Sequence, residues 1–68
     1  MTEQRLIAVQ VRLNTAAMAL HSALSEAAQP RKQRDDALME AMLDALHHIQ
    51  RAQQMCSAKL NFLAAETT

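Results

Sequence analysis

One aromatic residue, Phe62, one cysteine, Cys56, one proline, Pro30, and no glycine occur in this chain of 68 residues. Each shortage removes a class of explanation. With a single aromatic ring there is no platform on which successive bases of a nucleic acid could stack. A lone cysteine cannot close a disulfide within the chain. With Met1-Thr2-Glu3-Gln4-Arg5 showing no basic stretch ahead of an apolar one, the expected setting is a reducing cytoplasm. No apolar run approaches the ~20 residues that cross a bilayer. Seven basic and seven acidic side chains cancel, so no global field draws the chain onto nucleic acid or anionic lipid.

What is present is helix-forming. Ala, Leu, Gln, Met and Glu dominate, and nothing between Thr2 and Ala28 interrupts a helix. Thr2 is placed to cap it, with Glu3 in its first turn. Leu6, Leu13, Leu20 and Ala27 recur every seventh residue, flanked by Val9, Ala16 and Ala23 on one side and by Ala17 and Leu24 on the other. That is the pattern of a helix with one apolar stripe. Pro30 disfavours helical geometry at Gln29 and has no N–H to donate. The polar run Arg31-Lys32-Gln33-Arg34-Asp35-Asp36 then reads as an exposed connection and first turn, with i,i+4 pairs Arg31–Asp35 and Lys32–Asp36.

Two heptad rows follow: Met39, Leu46, Gln53 and Leu60, and Met42, Ile49, Cys56 and Leu63. Leu38, Leu43, Ala45 and Ala52 widen the stripe. The spacing predicts a single all-α domain over residues 1–68: helix one over about 3–28, a turn over about 29–32 and helix two over about 33–65. So short a connection makes the helices antiparallel neighbours.

Two helices cannot enclose such a stripe, because each leaves its outer half wet. At this size a chain usually adds disulfides, a metal or a partner. The expectation is therefore association, most simply as a homodimeric four-helix bundle with coiled-coil-like packing. Ala16, Ala17 and Ala23 opposite Ala45 and Ala52 would let helices approach closely while Leu and Met fill the alternate layers. The seam is assigned to Leu6, Leu13, Leu20, Leu24, Met39, Met42, Leu46, Ile49, Gln53, Cys56, Leu60 and Leu63. Gln53 interrupts the apolar row. A polar residue at such a position often fixes register or oligomeric state, so Gln53 is expected to lie near a symmetry axis and pair with its counterpart.

Residues that bear chemistry are few. Asp44 and His48 share a helix face at i,i+4, but neither they nor His47 have a second ligand pair to complete four-fold coordination. His21 reads as a boundary residue. Cys56 falls in the core row, where a free thiol behaves as a small apolar group, and no oxyanion donor or glycine turn accompanies it. Asp35 and Asp36 are adjacent and point to different sides. No catalytic site, metal or cofactor is expected.

A helical hairpin that dimerises and carries the basic cluster Arg31, Lys32 and Arg34 resembles in architecture the Rop family, dimeric hairpins that bind paired RNA loops. That resemblance implies RNA contact through basic side chains. Yet Rop's RNA face carries basic and aromatic residues along its first helices, and here Arg5 and Arg12 are the only basic residues on helix one. A second apolar set is the stronger indication. Ile7, Val11 and Met18 lie together off the main stripe of helix one, and Met55 and Phe62 occupy outward positions on helix two. These five are the candidate contacts for a partner protein, methionine being suited to irregular pockets. The leading expectation is a non-catalytic adaptor, inhibitor or co-chaperone-like regulator that docks a helix face on a protein. A Rop-like RNA-binding regulator and a structural assembly subunit are the alternatives.

Overall fold

In a computed structural model, which describes residues 1–29 and 34–67, the chain is two helices, α1 (Glu3–Ala27) and α2 (Asp36–Thr67). They lie side by side in an elongated body of 55 × 15 × 15 Å. Their antiparallel sense shows in the contacts between them: Leu6 and Gln10, early in α1, meet Cys56 and Ser57, and Asn14, further along α1, meets the earlier residue Gln53. Pro30, Arg31, Lys32 and Gln33, and with them the expected hinge and the pairs Arg31–Asp35 and Lys32–Asp36, lie outside the described residues.

Each helix begins on a polar side chain. The Arg5 N–H donates to Thr2 Oγ1 at 3.2 Å, and Thr2 has extended backbone angles as an N-cap residue does. The second helix starts at Asp36, later than the expected residue 33, because Asp35 is its cap. The Leu38 N–H donates to Asp35 Oδ1 at 3.0 Å, and the Met39 N–H donates to the Asp35 carbonyl at 3.0 Å. Asp36 then sits in the positively polarised first turn and takes a 2.7 Å ion pair from Arg34. At the far end α1 closes with the Ala28 N–H on the Leu24 carbonyl and the Gln29 N–H on the Glu26 carbonyl. Helix α2 runs on through Thr67 rather than stopping near residue 65.

The core is one side chain wide. Among the described residues only Leu6, Ala17, Leu46 and Cys56 are buried, and none is wholly enclosed. Leu13, Leu20 and Leu24, and Met39, Met42, Ile49, Gln53, Leu60 and Leu63 across from them, are half-buried. On α1 the seam steps alternately by three and four residues, through Leu6, Gln10, Leu13, Ala17, Leu20, Leu24 and Ala27. This is the spacing that keeps one line of side chains facing a partner helix. It rotates Val9, Ala16 and Ala23 to the flank, so the expectation that Ala16 and Ala23 face Ala45 across the seam does not hold. All three are exposed, while Ala17 is buried and Ala52 half-buried. Leu38 and Leu43 likewise do not widen the core: they flank the seam on opposite sides of α2 and are 51% and 44% exposed.

Because Asp35 alone supplies the side-chain cap of α2 among the described residues, Asp35→Ala should lower stability by about 1 kcal/mol and Asp35→Asn by much less. Urea denaturation followed by circular dichroism checks this. Equal losses for the two variants would mean that the Asp35 carboxylate acts through charge and not as a cap.

Candidate functional site

The two sides of the helix seam differ in chemistry. On one side the hairpin stitches itself together with polar groups. Gln10 Nε2 donates to Ser57 Oγ at 3.0 Å, and Gln53 Nε2 donates to Asn14 Oδ1 at 2.7 Å. Gln50, Gln54 and Asn61 continue this side as a shallow, amide-lined depression. Gln53 therefore has its partner within the chain. That partner is Asn14, which the three-four spacing of α1 brings opposite it; the expected pairing of Gln53 with its own counterpart belongs to an assembly of two chains.

On the other side lies an open apolar groove of about 750 Å³. It sits at the end of the hairpin that holds the N-terminus of α1. Met1, Val9 and Leu13 form one wall and Met55, Phe62 and Leu63 the other, with Leu6, Ala52 and Cys56 at the base and Lys59 at the margin. Phe62 is 64% exposed, so a large apolar ring stands mostly uncovered at the groove wall. The segment Leu60-Asn61-Phe62-Leu63 thus lies beside the start of α1, as the expected antiparallel packing requires.

The five residues singled out as partner contacts do not form one surface. Met55 and Phe62 line the groove. Ile7, Val11 and Met18 sit on the flank of α1 that also carries Asn14, which is the polar side of the seam, at 46%, 58% and 71% exposure. Helical geometry explains the split. At about 100° per residue, Ile7, Asn14 and Val11 fall to one side of the Leu6–Leu13 line and Val9 falls to the other. Two apolar surfaces therefore face away from each other across the hairpin. Sequence periodicity places each residue on its own helix, but assigning sides required knowing which row of α1 enters the seam.

The residues with reactive groups are dispersed. Cys56 is 4% exposed, and its thiol donates to the Leu6 carbonyl at 3.2 Å. That contact ties the base of the groove to α1. His21, His47, His48 and Asp44 are exposed. Among the described residues no three His, Cys, Asp or Glu side chains come together as a metal site would need, and no buried side-chain polar atom lacks a partner. Of the basic cluster, Arg34 is engaged by Asp36, and Arg31 and Lys32 lie outside the described residues. No described helix is long and apolar enough to cross a membrane. In comparison with known proteins, no family model, curated protein or solved structure matches the chain.

The Asn14–Gln53 contact can be isolated energetically. A double-mutant cycle of Asn14→Ala and Gln53→Ala should give a coupling of about 0.5–1 kcal/mol, in the range of a net hydrogen bond at a partly wet site. Additive effects in urea unfolding would show that Gln53 makes its important contact elsewhere.

Proposed function

We propose that this chain is a non-catalytic protein–protein interaction module: a hairpin that pairs with a second copy through its apolar groove as a homodimeric four-helix bundle, and offers its other apolar flank to a partner protein. The observation that carries this reading is surface area. The chain exposes 5564 Å² at a mass of 7.6 kDa. A compact monomeric protein of that mass exposes about 4,300 Å². The excess of about 1,300 Å² is larger than the ~800 Å² that one partner contributes to an ordinary specific interface.

The arrangement of that surface supports an adaptor over a simple dimer. The groove, with Phe62 and Met55, covers the flank that the hairpin leaves unsealed. Ile7, Val11 and Met18 remain on the opposite flank after such pairing, spaced for a helix or groove of another protein to rest on. A buried, unpaired thiol suits a cytoplasmic setting. The RNA-binding alternative has less behind it, since Arg34 is held by Asp36 and the chain has no net positive charge.

The test is mass with targeted substitutions. Light scattering at micromolar concentration should give a dimer. Phe62→Asp, which buries an unpaired charge in the groove, should shift it to monomer. Val11→Asp and Met18→Asp should leave the dimer intact and abolish capture of the partner protein from the native host. A wild-type chain that stays folded and monomeric would sink the reading.

A further inference from the structure

Five residues of the chain are methionines, Met1, Met18, Met39, Met42 and Met55, and the fold sorts them. Met39 and Met42 are half-buried near the start of α2. Met1, Met18 and Met55 are 80%, 71% and 54% exposed. Met1 and Met55 line the apolar groove, whereas Met18 stands with Ile7 and Val11 on the opposite flank. Within the helices, each apolar flank therefore carries one open thioether. The sulfur next to Met55 in sequence is in the contrary state. Cys56 is 4% exposed and its thiol donates to the Leu6 carbonyl. An oxidant arriving from water meets the Met55 thioether and not the Cys56 thiol, because susceptibility follows exposure.

We infer that Met55 is a site of reversible oxidation by hydrogen peroxide, and that its sulfoxide releases the groove from a second copy of the chain. This rests on the homodimer reading above and adds a covalent control to it. In the step, the Met55 sulfur attacks one peroxide oxygen with a lone pair. An S–O bond forms and the O–O bond breaks. The hydrogen on the transferred oxygen passes through solvent to the departing one, which leaves as water. The sulfur is oxidised and the peroxide reduced by the same electron pair, so no protein group has to act as acid or base.

The product changes the character of the groove wall. A thioether is apolar, whereas a sulfoxide is polar and accepts hydrogen bonds without donating any. Apart from the Cys56 thiol, which Leu6 engages, the one lining side chain that can donate is Lys59, a turn further along α2. On the open hairpin water satisfies the sulfoxide. Under a second copy it is either stranded or draws the Lys59 ammonium in beside it, and both are costly. Covering the groove in turn shields the thioether. Pairing and oxidation of Met55 therefore oppose each other through one equilibrium. Met18, on the far flank, stays open in the single chain and in the groove-paired dimer, and serves as an internal reference.

Peroxide treatment of the wild-type chain over a range of chain concentrations tests this, with sulfoxide at each methionine followed by peptide mass spectrometry. Raising the concentration until about nine-tenths of the chains are paired should slow Met55 oxidation about tenfold and leave Met18 within about twofold. In the oxidised chain, light scattering should show the dimer dissociation constant raised about tenfold to a hundredfold, with helicity by circular dichroism unchanged. Methionine sulfoxide reductase should restore the dimer. Met55→Leu, apolar and of similar volume, should keep the dimer under the same peroxide. An oxidised chain that stays dimeric overturns the inference and leaves the homodimer reading standing. So does dissociation that Met55→Leu does not prevent, or that comes with loss of helicity. A wild-type chain that is monomeric throughout, or a dimer that shields Met18 in place of Met55, removes the groove-paired reading and this inference with it.

Discussion

Two helices laid side by side touch along one line, and a side chain is buried only if it points along that line. An α-helix is about 10–12 Å across with its side chains, so a pair of them has almost no interior. Most of the molecule's features trace to this constraint. Only Leu6, Ala17, Leu46 and Cys56 reach burial among the described residues, although the stripes that feed the seam contain many more leucines and methionines. The remaining apolar side chains are half-covered, and the flanks of the seam become surfaces in their own right. Such a hairpin exposes much of what a larger protein would keep inside.

The hairpin treats its two flanks differently, and the difference restricts where further helices can pack. On the amide side, Gln10, Ser57, Asn14 and Gln53 satisfy one another. Displacing these groups into an apolar interface would leave donors and acceptors without partners, at a cost of about 1–3 kcal/mol for each group stranded. The groove side carries little such penalty: the side chains that line it are apolar apart from Lys59, which sits at the margin on a long stem. The same polar rungs also fix register. Sliding α2 by one heptad would separate both pairs and break the Cys56 thiol contact with Leu6. Two amide contacts and a thiol thus specify an alignment that the repetitive Leu, Ala and Met pattern would leave nearly degenerate.

Fold class was legible in the sequence because helix propensity, seven-residue periodicity and a single proline between the two patterned segments all agree. The start of α2 was less so. Asp35 and Asp36 are both good early-helix residues, and only the hydrogen bond from the Leu38 N–H separates the cap from the first turn. Which row of α1 enters the seam was also ambiguous. Val9-Ala16-Ala23 and Gln10-Ala17-Leu24 flank Leu6-Leu13-Leu20 equally, and the first row is the more apolar of the two. The structure selects the second because Gln10 finds Ser57 and Asn14 finds Gln53, long-range hydrogen bonds that composition and spacing do not reveal. That one rotation moves Ala16 and Ala23 out of the core, gives Gln53 a partner in Asn14, and places Met55 and Phe62 on the far side from Ile7, Val11 and Met18.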